Sequence, residues 1–68
     1  MNFLEQKLER KKELLNSRKN NFKIMFLNEF EDDSFEKNAI SELLYMLEIK
    51  AEIRELKSAI IFNKIKEV

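Results

Sequence analysis

The chain contains no cysteine, histidine, glycine or proline. Without cysteine there are no disulfides, and without cysteine and histidine the common zinc sites have no ligands. Its 68 residues allow one domain with a modest core, so stability has to come from helix packing, from self-association or from a partner chain. The absence of glycine and proline removes the residues of tight hairpin turns, phosphate loops and dinucleotide fingerprints. No uninterrupted apolar run approaches the roughly 18 residues of a membrane span. The N-terminus reads Glu5, Lys7, Glu9 and Arg10 where a signal peptide would be apolar, which makes the cytoplasm the expected compartment. Catalysis is left with carboxylates, Lys, Ser and Tyr45, so no enzyme and no cofactor is expected.

What is present favours helix: a chain rich in Glu, Lys and Leu, 38% charged, with a net charge of zero. That balance is uneven along the chain. Met1 to Asn28 carries seven bases against three acids, and Glu29 to Glu48 carries seven acids against one Lys. Leu4, Leu8, Leu15, Phe22, Met25, Phe26 and Phe30 fall on one stripe at helical spacing, and Lys11 and Arg18 fill its two empty positions. The stripe predicts a first helix over about residues 2–30, with its weakest stretch at Asn16 to Asn21, where Asn and Ser compete for backbone hydrogen bonds.

Glu31, Asp32, Asp33 and Ser34 mark the turn, about residues 31–34. Asp33 followed by Glu36 has the spacing of a capping box, and acids at a helix start suit the helix dipole. A calcium loop would need alternating oxygen ligands and a glycine, so no metal is assigned. A second helix follows over about residues 35–65. The expected fold is all-α: an antiparallel two-helix hairpin, completed by a partner or by dimerisation.

The second helix has two apolar faces. One holds Ile40, Leu43, Leu44, Leu47, Ala51, Ser58, Ile61, Phe62 and Ile65. In an antiparallel hairpin it sets small Ala51 and Ser58 opposite Leu15 and Leu8, which suggests the intramolecular seam. The other face, Met46, Ile49, Ile53, Leu56 and Ile60, is then the expected partner-binding surface. Burying those five side chains is worth on the order of 7 to 15 kcal/mol before association costs. Glu48, Glu52 and Glu55 form an acidic row on one flank, and Lys50, Arg54 and Lys57 a basic row on the other. Such rows fit complementary rows on a neighbour, or a solvated surface.

RNA is the alternative partner. Lys7, Arg10, Lys11, Lys12, Arg18, Lys19 and Lys23 on the first helix of a homodimeric four-helix bundle could follow a phosphate backbone, although Glu5, Glu9 and Glu13 interrupt them. A phage- or plasmid-encoded inhibitor of a host protein would share the physics of a protein-binding hairpin. Leu4-Glu5-Gln6-Lys7-Leu8, the acidic mid-chain turn and Leu56-Lys57-Ser58-Ala59-Ile60-Ile61 together resemble the small E-component co-chaperones of type III secretion needles. The matched positions are Leu4, Leu8, Leu56, Ser58, Ala59 and Ile60. That resemblance implies a two-helix cytoplasmic protein that joins a helical-repeat chaperone to keep the secreted needle subunit unpolymerised.

Overall fold

The computed structural model describes residues 2–67 as two long helices packed antiparallel, with no strand among them. The first, α1, spans Phe3–Glu29 and the second, α2, spans Phe35–Glu67. Asn2 caps α1 from an extended backbone, its side-chain oxygen accepting from the Glu5 amide at 2.9 Å. The Asn16 to Asn21 stretch does not break α1: Asn16, Ser17, Asn20 and Asn21 are all exposed to solvent and the helix continues through them.

The turn is made without a left-handed residue. Main-chain bonds three residues apart close it instead, from the Asp32 amide to the Glu29 carbonyl at 2.9 Å and from the Phe35 amide to the Asp32 carbonyl at 3.1 Å. This is how a chain without glycine reverses direction. The Asp33–Glu36 capping box expected from the sequence does not form. The first α-helical bond runs from the Asn38 amide to the Ser34 carbonyl at 3.2 Å, so Ser34 is the cap residue and Lys37, not a glutamate, stands three residues on. Aromatic packing sets this start. Phe35, which is buried, lies 5.9 Å from Phe26 and 5.3 Å from Phe30 in edge-on contacts, and Phe26 and Phe30 are 5.0 Å apart. Each such pair adds about 0.5–1.5 kcal/mol beyond the area it buries.

The seam between the helices follows a strict seven-residue repeat. On α1 the half-buried positions Leu4, Leu8, Lys11, Leu15, Arg18, Phe22 and Met25 alternate by four and three residues, with Glu5 and Leu14 half-buried beside them. On α2 the buried or half-buried positions Phe35, Ala39, Glu42, Met46, Ile49, Ile53, Leu56 and Ile60 do the same, with Glu52 and Ala59 half-buried beside them. A 3.5-residue period on both partners is the geometry of an antiparallel coiled coil, in which each side chain inserts among those of the facing helix.

The α2 faces are therefore the reverse of the sequence expectation. Met46, Ile49, Ile53, Leu56 and Ile60, expected to bind a partner, pack on α1, and Ile49 is only 2% exposed. Ile40, Leu43, Leu44, Leu47, Ala51, Ser58, Ile61, Phe62 and Ile65, expected in the seam, face outward. Charge and the turn explain the reversal. In the observed orientation Lys11 pairs with Glu52 and Arg18 lies 3.6 Å from Glu42. Rotating α2 to the other face would set Arg54 beside Lys11 and leave Arg18 among Leu44 and Leu47. Phe35, held by the aromatic trio, is in phase with Ala39 and Glu42, not with Ile40.

The hairpin is a rod of 55 × 17 × 12 Å with a radius of gyration of 16.0 Å, against about 11 Å for a compact domain of this length. Truncating Ile49 to Ala should cost about 2–4 kcal/mol, read as a fall in the thermal midpoint by circular dichroism. Leu27→Ala on the back of α1, where the side chain is 79% exposed, should change stability by less than about 0.5 kcal/mol. Equal effects would contradict the observed seam.

Candidate interaction surface

The surface begins with the two charges inside the seam. Leu residues would be the plain choice at positions 11 and 18, and the chain places Lys and Arg there. Lys11 snorkels past the apolar seam, its stem half-buried, to the carboxylate of Glu52. The hydrogen bond to Glu52 raises the Lys11 pKa above its usual value; burial opposes the shift, and the nearby Glu52, Tyr45 and Glu48 charges add to it. Arg18 divides its guanidinium between two groups. It stands 3.6 Å from Glu42 and 4.7 Å from the centre of the Tyr45 ring, a cation over an aromatic face. At that separation the Glu42 Oε1 atom is buried without a hydrogen bond, so the pair holds by charge more than by geometry.

These pairs fix which side of α2 is left over. On the far side from α1, Ile40, Leu44, Leu47, Ala51, Arg54, Ser58, Ile61 and Ile65 repeat the same alternation of four and three residues. The apolar members are broadly open to solvent, with Leu44 at 62% and Ile65 at 69% exposed. Leu43 and Phe62 border them and are exposed as well. Glu48 and Glu55 stand on one flank and Lys50 and Lys57 on the other, all exposed, with Arg54 on the Lys side. Glu52, which the sequence groups with the acidic row, is half-buried and engaged by Lys11.

Other features of the molecule have less chemistry to offer. The grooves along the rod are shallow and open, one edged by Phe22, Lys23, Phe26 and Leu27 and another by Leu15, Lys19, Leu43, Met46, Leu47 and Lys50. Among the described residues no group of acids is arranged to hold a metal ion, the acidic turn included. No helix among the described residues is long and apolar enough to cross a membrane.

The basic residues of α1 are not gathered on one face. Lys11 and Arg18 are drawn into the seam, Lys12 lies 3.8 Å from Glu9, and helical spacing puts Lys12, Lys19 and Lys23 on one flank of the seam with Lys7 and Arg10 on the other. That division weakens the phosphate-tracking arrangement expected of an RNA-binding helix. Tyr45 sits beneath Arg18 at the edge of the seam. Glu42 was not singled out by sequence, although an acid inside the Phe35, Ala39, Met46, Ile49 repeat answers the two cations of α1.

No protein-family model, curated protein or solved structure matches this chain.

Two outcomes check the ionic seam. Arg18→Leu alone should cost roughly 1–2 kcal/mol by leaving Glu42 uncompensated, and adding Glu42→Leu should restore or exceed the original midpoint. Because the Lys11 pKa is raised, its contribution should be complete below the unfolded value of about 10.4 and should disappear as pH rises through the higher folded value. A Lys11→Met variant should lack that alkaline loss in a pH-dependent melt.

Proposed function

We propose that this protein is a non-enzymatic interaction module, a small adaptor or co-chaperone that offers the outer face of α2 to a second helical chain. The observation that carries this reading is the apolar repeat from Ile40 to Ile65, left uncovered although it has the period and flanking charges of a coiled-coil seam. Seven large apolar side chains stand exposed along it: Ile40, Leu43, Leu44, Leu47, Ile61, Phe62 and Ile65. A continuous stripe of this kind exceeds the scattered apolar residues of an ordinary monomer surface. The open grooves and the lack of His and Cys favour binding over chemistry.

The resemblance to type III needle co-chaperones gives this reading a more specific form. In that form the second chain is a helical-repeat chaperone, the cargo is a secreted subunit, and the setting is the cytoplasm. Five of the six matched positions, Leu4, Leu8, Leu56, Ala59 and Ile60, are half-buried at the seam, so they support a shared hairpin more than a shared partner contact. Ser58 alone faces outward.

A contrast of substitutions tests the reading. Leu44→Glu combined with Leu47→Glu should keep the helical circular dichroism of the hairpin in dilute solution while removing concentration-dependent association and the binding of the dye anilinonaphthalene sulfonate. Ile49→Glu, which forces a charge into the seam, should melt the hairpin outright. If the outer-face variant melts and the Ile49 variant does not, the interaction surface has been placed on the wrong side of α2.

A further inference from the structure

The hairpin exposes 5709 Å², about 1,100 Å² more than the roughly 4,600 Å² of a compact monomer of its 8.3 kDa mass. A standard interface buries about 800 Å² on each partner. The excess is thus large enough for one full interface, and the outer stripe of α2 runs nearly the length of that helix on the side away from α1, where nothing in the fold obstructs it.

The charges beside the stripe specify what can lie on it. An acidic flank of Glu48 and Glu55 and a basic flank of Lys50, Arg54 and Lys57 make α2 complementary to itself in one direction only. If a second α2 lies antiparallel, like flanks meet: Lys50 faces Lys57 of the second copy, Glu48 faces Glu55, and both Arg54 side chains join the lysines. If it lies parallel, each basic flank meets an acidic one. Lys50 then stands opposite Glu55 of the second copy, five residues further along, the spacing of inter-helix ion pairs in parallel coiled coils. Arg54 lies at the edge of the stripe on the same side and reaches the same carboxylate.

We propose that the outer face of α2 is closed by a second copy of this chain, α2 against α2 in parallel about a two-fold axis along the helices, with α1 of each copy on the outside. The proposal rests on the reading of that face as an interaction surface and names its occupant. Ile40, Leu44, Leu47, Ala51, Arg54, Ser58, Ile61 and Ile65 each meet their own counterparts, as a closed two-fold interface requires, with the two Arg54 side chains turned outward to the flanking carboxylates. Arg54 and Ser58 are the polar layers that hold the register, since sliding α2 would bury them against leucine and isoleucine.

The test uses the full chain, which has no cysteine of its own. A Ser58→Cys variant should form a disulfide-linked dimer on mild oxidation, an Asn20→Cys control on the back of α1 should not, and sedimentation equilibrium should show a dimer. In the antiparallel arrangement Ser58 would face Leu47, and the two Ser58 positions would be about 16 Å apart along the axis, beyond the reach of a disulfide. Cross-linking only between Leu47→Cys and Ser58→Cys chains would therefore overturn the parallel arrangement. The parallel dimer should also dissociate about 3- to 10-fold more readily in 0.5 M than in 0.05 M NaCl, and a dimer indifferent to salt would contradict the pairing of the rows. A monomer at all concentrations overturns the second copy altogether. In that event, a monomer that binds anilinonaphthalene sulfonate and loses it on the Leu44→Glu, Leu47→Glu change would still leave the face as the surface for a different chain.

Discussion

α2 carries two apolar stripes, and a two-helix chain can bury only one of them against α1. The choice between them is made by charge. Lys11 and Arg18 sit where the α1 stripe would otherwise be apolar, and only one face of α2 presents acids at the matching levels, Glu52 and Glu42. Half-exposed ion pairs add little net stability, yet the alternative packing would press Arg54 toward Lys11 and strand Arg18 among leucines. The pairs therefore act by making the wrong hairpin worse, a use of polar groups in a seam that sets orientation at some expense of stability. The Phe26, Phe30 and Phe35 cluster acts in the same direction from the other end, fixing the rotational phase in which α2 leaves the turn.

Much of this architecture was legible in the sequence. The α1 stripe, the two cations within it, the acidic turn and the start of α2 near residue 35 all follow from helical periodicity and composition. The continuity of α1 through Asn16 to Asn21 depended on whether those side chains point to water, which spacing alone does not decide. The choice of α2 face was misread because both stripes are apolar and the match of small Ala51 and Ser58 to large Leu15 and Leu8 is attractive in isolation. Both stripes keep a period of 3.5, so the period does not separate them; charge does, because the stripe of Phe35, Ala39, Ile49 and Ile53 carries Glu42 at the level of Arg18, whereas the other carries Arg54 at the level of Lys11. The capping box failed for a similar reason, because packing of Phe35 moved the helix start to a residue whose third successor is Lys37.

A hairpin of this shape is thermodynamically thin. Its described residues include four buried apolar side chains, Phe35, Ala39, Ile49 and Ile53, all on α2, while its surface exceeds that of a compact chain of the same mass. Stability then depends on concentration wherever the outer stripe finds a second helix, since any chain that binds the folded form draws the equilibrium toward it. Folding and association then become coupled, in keeping with the adaptor role proposed above.

The central claim, that α2 meets α1 through the Ile49 face and keeps the Leu47 face outward, is tested most directly by methyl nuclear Overhauser spectroscopy on the isotopically labelled chain. The account predicts cross-helix contacts from the Ile49 and Ile53 methyls to side chains of α1 and none to α1 from Leu44 or Ile61. Contacts from Leu44 to Phe22 or from Ile61 to Leu4, with Ile49 and Ile53 showing none to α1, would contradict it.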